Sequence, residues 1–267
     1  METRRLKNIS ILILLMLNIF LLLLLGYQEL QARRSQIDAE EQLRDLFAAE
    51  QLTLSHEVDL SQPPLSPLTL SRQSEEESAI AAFLLGESVE AVSQGGGIYS
   101  YTAHAGSIQF RSGGGFDGTE LCLPVENAAS FARDFFQQFD YLMESGSISR
   151  GSGSITAVQH TQGIPIDTCT ITLTFHDHTL IAVSGVHISL DDAYVSSDAP
   201  LSCVSALVRF LDHWRTAGVV CRKVTNVHCL YRLESASATL RLIPTWQIDT
   251  DTYTYFVDAS SGFVFRR

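Results

Sequence analysis

The chain closes on IDTDTYTYFVDASSGFVFRR, Ile248 to Arg267, and this stretch decides between three kinds of protein. Acids and hydroxyls run together at Asp249, Thr250, Asp251 and Thr252, as at the start of a calcium loop. A loop of the EF-hand kind needs oxygen ligands at positions one, three and five, glycine at six and glutamate at twelve. Counting from Asp249, the last three of those places hold Tyr253, Thr254 and Ser260, so the pattern fails. Thr252 and Thr254 alternate instead with Tyr253 and Tyr255, which is the period of a strand with two unlike faces. DASSG then supplies a turn and FVFRR returns, so the stretch reads as a β-hairpin.

Working back from the hairpin, the sequence shows two rounds of a helix followed by strands. VENAASFARDFFQQFDYLM places Ala128, Phe131, Ala132, Phe135, Phe139 and Leu142 on one helical stripe. The strands SITAVQHTQ, PIDTCTITLTF and TLIAVSGVHISL follow. A second helix, DAPLSCVSALVRFLDHW, has Asp198 as cap, Pro200 in its first turn and a stripe of Leu201, Val204, Leu207, Val208 and Leu211, with Gly218 as its stop. Strands then recur in CRKVTNVHCLYRL, TLRLIPTWQID, TYTYFVDA and GFVFR, and Pro165 and Pro244 mark equivalent strands of the two rounds. The expectation is an α+β fold of two loosely duplicated helix-plus-antiparallel-sheet units, over 76–150 and 151–267. Ahead of them, SEEESAIAAFLLGE reads as a serine-capped helix, and the glycine triplets around IYSYTAHAGSIQF as hairpin ends.

The amino-terminal end is of a different character. After a cationic head (Arg4, Arg5, Lys7), residues Ile9 to Leu25 are apolar apart from Ser10 and Asn18. Seventeen helical residues rise about 25 Å, against a bilayer core of about 30 Å, and Leu6 and Tyr27 extend them. The exit GYQELQARR offers Leu30 and Ala32, a poor pair for signal cleavage, so an uncleaved anchor is expected. The positive charges put residues 1–8 in the cytoplasm, a transmembrane helix at 9–27, and the remainder in the extracellular space. Residues 28–75 read as a helical stalk followed by an extended linker, SQPPLSPLTLSR. Ser10 and Asn18 are the candidate contacts to a partner's membrane helix, because an amide inside an apolar span seeks a partner worth about 1 kcal/mol.

Chemistry-bearing residues do not assemble in the sequence. The chain has 267 residues and net charge −12, with no basic stripe after the first residues, so nucleic acid is not an expected partner. His176 and His178 flank Asp177, but between alternating strands they read as a tight turn, and no further metal ligand follows. Asp212 and His213 lie on an amphipathic helix as a solvated pair. No Gly-x-Ser-x-Gly elbow occurs, and none of the five cysteines forms a Cys-x-x-Cys pair. The reading is a non-enzyme with no cofactor, metal or catalytic residues.

A family resemblance enters on specific stretches. The cationic start, single span, PPLSPLTL and AIAAFLLG resemble the YycH/YycI group of regulatory proteins. QGIPIDTCTITLTFHDHTLIAVSG and LIPTWQIDTDTYTYFVDASSGFVF are similar to the carboxyl-terminal sheet of YycI, and the latter also to the end of PepSY domains. The resemblance implies a membrane-anchored accessory of the WalK/WalR (YycG/YycF) two-component system of Gram-positive bacteria. Its implied partners are a sensor histidine kinase, a YycH-like sister protein and, through the span, the lipid bilayer. The alternative is a PepSY-like extracellular binding or inhibitory module for cell-wall ligands or proteases.

Overall fold

The computed structural model describes residues 2–196, 199–218, 220–236 and 239–266. Within these, the side chains of residues 2–13, 25, 26, 28–30, 32, 33, 36 and 236 are not described. The fold is mixed α+β, with helices packed on a large, mostly antiparallel sheet.

A single helix, α1 (Glu2–Ala49), runs through the expected anchor and stalk without a break. No glycine or proline interrupts residues 27–49, so nothing forces a kink there. Its 48 residues span about 72 Å at 1.5 Å per residue. The described side chains from Leu14 to Leu24 are exposed, Asn18 among them. At the other end Leu43 and Phe47 are buried in the body. Among the described residues no helix is long and apolar enough to cross a membrane. Residues 9–13, 25 and 26 of the expected span, including Ser10, lie outside the described side chains.

The stretch around the expected extended linker is folded onto the body. β1 (Thr53–Leu54) and β2 (Leu68–Leu70) both pair with strands far along the chain, and Val58, Leu60 and Leu70 are buried. The prolines occupy only the extended gap between those strands, where no ladder hydrogen bond is required of them. The helix α2 (Ser74–Leu85) ends at Gly86, whose φ of 76° is the left-handed stop that glycine adopts without a Cβ penalty. Its N-cap is Gln73, without a side-chain capping bond, rather than the expected serine.

Four strands, β3 (Val92–Gly95), β4 (Ile98–Ala103), β5 (Gly106–Phe110) and β6 (Gly115–Pro124), pair as successive hairpins. The helix α3 (Ala128–Gln138) follows, capped by Asn127, whose side-chain oxygen accepts from the Ala129 and Ser130 amides at 3.0 Å. It stops earlier than its apolar stripe predicts. Phe139 is the C-cap and Asp140 turns left-handed at φ 57°, so Leu142 leaves the helix and enters a strand.

That strand is β7 (Tyr141–Ser149), paired in sequence order with β8 (Ser152–Thr161), β9 (Ile164–His176) and β10 (Thr179–Val186). The boundary expected between 150 and 151 is therefore the tip of the β7–β8 hairpin. Arg150 and Gly151 both have positive φ there, as a two-residue hairpin turn requires. After the short β11 (Tyr194–Val195), the same order recurs: α4 (Cys203–Ala217), then β12 (Lys223–Ala236), β13 (Thr239–Thr250), β14 (Thr254–Asp258) and β15 (Val264–Arg266), each strand antiparallel to the next. Pro165 lies in the third strand of the first meander and Pro244 in the second strand of the second, so they are not equivalent positions.

The helix α4 starts later than expected. Its cap is Ser202, and Leu201 precedes it, held by its amide to Ala259 O at 2.7 Å and by Trp246 Nε1–H to its carbonyl at 2.8 Å. Asp198, the expected cap, lies outside the described residues. β14 is buried on both faces rather than having two unlike ones, because α4 covers Tyr255 on one side while Phe256 stacks on Phe265 on the other.

Two main cores follow. One joins α2 and α3 to β4–β10 through Phe110, Phe116, Phe135, Leu173 and their neighbours. The other joins the end of α1 and α4 to β12–β15 around Trp246 and Phe210. A smaller cluster around Ile166, Tyr231 and Leu242 seals the seam, where β9 and β12 meet in parallel at Ile166 and Tyr231.

Candidate interaction site

Three surface grooves meet around the start of β7. Ala129, Ala132, Arg133, Phe136 and Gln137 of α3 face Tyr141, Leu142, Met143 and Ile155 across an apolar groove of about 470 Å³. A second groove, about 600 Å³, continues past Asp140 to His160, Gly163 and Leu190. A third, about 380 Å³, runs from Leu142, Met143 and Glu144 to Asp167, His228 and Gln247 at the seam. All three share Leu142, which is 59% exposed, beside Met143 at 64%. Large apolar side chains this open, at the convergence of grooves, make this patch a candidate interaction surface.

Local sequence explains the geometry. Asp140 breaks the helix, Tyr141 turns inward at 3% exposure, and strand alternation then throws Leu142 to the opposite face. β7 has β8 as its single strand partner among the described residues, so its outer edge is free. A bulge between Met143 and Ser145 separates the apolar beginning of the strand from its serine-rich end. The rim is charged, with Arg133 on the helix side and Asp140 and Glu144, all exposed, on the strand side.

Beneath the groove lies a buried polar chain. The Tyr141 hydroxyl donates to Val186 O at 2.8 Å, so its oxygen accepts from His187, whose Nδ1 is 3.1 Å away. His187 Nδ1 therefore carries a hydrogen. Its Nε2 lies 3.1 Å from Glu76 Oε1. His187 holds the Glu76 carboxyl below its usual range, against the opposing effect of burial. Burial pushes the Tyr141 hydroxyl well above the ordinary tyrosine value, so it stays a neutral donor. This chain ties α2 to the first residue of β7 and anchors one wall of the groove.

The residues singled out in the sequence do not meet at this site. Asn18 is exposed on α1. Asp249 accepts from Gln247 Nε2 at 3.0 Å and Thr254 Oγ1 at 2.8 Å, while Asp251 receives the Arg222 amide at 3.1 Å, so both carboxylates serve the β13–β14 turn. Asp177 and His178 form the β9–β10 turn at φ 46° and 59°, with His176 Nε2 3.6 Å from Asp177 Oδ2 and both side chains open to water. His213 lies on α4 near the Tyr255 ring. Among the described residues no three His, Cys, Asp or Glu side chains converge as a metal site would.

All five cysteines are free thiols. Burial pushes Cys169 and Cys203 up to about 12, and Cys221 and Cys229 up to about 11, which holds them as thiols at neutral pH.

The site residues missed in the sequence are Leu142 and Met143, read there as the end of a helix, with Leu142 closing its apolar stripe. The signal for a strand was Arg150-Gly151, a two-residue turn between SIS and SGS.

No family model matches the chain, and no curated protein matches it. Among solved structures, one similarity is to an uncharacterized protein from Eubacterium rectale, at 11% identity and TM-score 0.41, over 77% of this chain and 86% of that one. Another is to the YpeB carboxyl-terminal domain of Bacillus megaterium, at 14% identity and TM-score 0.35, over 74% of this chain and 98% of that one. At these scores the likeness is one of distant outline.

Proposed function

We propose that this chain is a membrane-anchored extracytoplasmic regulatory protein that modulates a sensor histidine kinase through contacts of its membrane helix and its outer body. The observation that carries the reading is the continuity of α1. One helix joins the apolar run near Ile9–Leu25 to a buried end at Leu43 and Phe47, inside the core that α4 and β12–β15 complete. A shift or rotation of such a helix in the bilayer is passed to the body along one continuous helix, and the reverse holds equally. A regulator of this type biases its kinase by packing differently against the kinase's two signalling states. The YycH/YycI-like stretches of the sequence and the paired helix-and-meander topology, read as a duplicated PepSY-like unit, agree with it. A YycH-like sister protein is the second expected partner.

The test is co-purification of candidate kinases from membranes, with native chain, Asn18→Leu and a chain with its span replaced. Kinase recovered with the native chain and lost on span replacement is the expected result. No kinase recovered with any form overturns the proposal.

A second reading rests on the open α3–β7 grooves: a binding or inhibitory module for a cell-wall ligand or protease. Thermal-shift screening of the full chain against wall fragments and secreted proteases distinguishes it, with stabilisation that is lost in Met143→Glu as its signature.

A further inference from the structure

Among the differences between the two helix-and-meander groups is what fills the angle between the helix and its first strand. In the second group this chain fills it with its own segment. Leu43 and Phe47 at the end of α1, then Leu52 and Leu54, are 2%, 0%, 3% and 7% exposed in one core with Leu207, Phe210, Val224 and Val227. β1 then adds to β12 on the side away from β13, running parallel, with Thr53 opposite Lys223 and Leu54 opposite Val224. At the helical end of the same segment Glu50 meets Arg215 at 2.6 Å. In the first group the corresponding angle, between α3 and β7, is the open apolar groove, and no strand lies on the outer edge of β7 among the described residues.

We propose that the α3–β7 groove receives a helix-then-strand segment of a different protein, with apolar residues spaced as Leu43, Phe47, Leu52 and Leu54 are here. The helix end seats on Ala132, Phe136 and Met143, and the strand lies parallel on the first residues of β7. The segment carries a carboxylate for Arg133, as Glu50 does for Arg215, and cations for Asp140 and Glu144. A bulge after Met143 limits the strand contact to a few residues, comparable to the two-residue pairing of β1. A second copy of this chain is excluded as occupant on two grounds. Its own Leu43, Phe47, Leu52 and Leu54 are already buried, so releasing them would expose four apolar side chains. Two chains of net charge −12 also repel. The proposal rests on reading the chain as an interaction protein, and it names the class of partner surface.

The probe is a synthetic peptide of this chain's residues 40–56, which carries the required spacing. Full-length protein in detergent micelles, with Met143 replaced by a photoreactive benzoylphenylalanine, is irradiated with the peptide. The expected result is labelling of the peptide at position 143. Its affinity for the unlabelled protein then falls at least tenfold in the double variant Leu142→Glu, Met143→Glu. Both positions are largely exposed, so the variant's melting curve stays that of the parent. A peptide with Phe47→Glu fails to label. The proposal is overturned by no labelling, by affinity indifferent to the double change, or by position 143 labelling a second copy of the chain instead. Peptide that labels a probe at Arg222 but not at 143 has exchanged into the second core and also counts against it. Kinase co-purification can fail while these outcomes stand, so the two proposals fail separately.

Discussion

Replacing Phe47 by alanine tests whether the end of α1 is an integral part of the body. The ring is 0% exposed and shares its core with Leu43, Phe210, Leu211 and Trp246. Truncating a fully buried phenylalanine costs about 3–5 kcal/mol, from lost transfer energy plus the cavity that the surrounding side chains cannot close. For a body of this size, each kcal/mol lowers the melting temperature by about 2–4 °C, so the expected drop is roughly 6–20 °C. The assay is thermal unfolding followed by tryptophan fluorescence, because both tryptophans, Trp214 and Trp246, belong to the same core as Phe47. Ile37→Ala, 56% exposed on the same helix, is the matched control and should stay within about 0.5 kcal/mol of the parent. Should Phe47→Ala and Ile37→Ala melt together, the helix end is not packed as described, and the mechanical link from span to body is refuted.

Three further outcomes follow from the geometry. The folded-state value of Glu76 lies below its ordinary 4.5, so its stabilising contribution is present above that pH and is lost as pH falls through the lowered value. Acid unfolding of Glu76→Gln should lack that component, and identical acid titration curves for parent and variant would contradict it. Gly151→Ala should destabilise by about 1–2 kcal/mol or more in urea titration, since φ is 77° and the added Cβ would stand 2.3 Å from the His178 ring. Adding His178→Ala should recover the steric part but not the backbone part. A thiol reagent at pH 8 should modify exposed Cys122 quickly and reach Cys169 and Cys203 only on unfolding, and rapid reaction of all five in native protein would show the burial to be wrong.

What was legible in the sequence was whatever rests on local periodicity. The apolar stripe of α4, the alternation through β9 and the DASSG turn before β15 each depend on residues within one element and its turn. The grooves were not legible, for a physical reason. Leu142 continues the α3 stripe at helical spacing, and only the left-handed Asp140 and long-range pairing with Val158 take it into a strand. Missing β7 also misaligned the two rounds and made Pro165 and Pro244 look equivalent. The proline-rich stretch misled in the same way, because its composition matches a spacer while Leu70 is held by Leu240, 170 positions further on. The Glu76–His187–Tyr141 chain joins three distant elements and leaves no local mark.

The direct test of a tethered, body-coupled helix is the intact mass of the chain in fractionated cells. Full-length polypeptide of 29.4 kDa, held in membranes until detergent releases it, is the expected result. A shortened form beginning in the stalk and recovered free in the medium would contradict it.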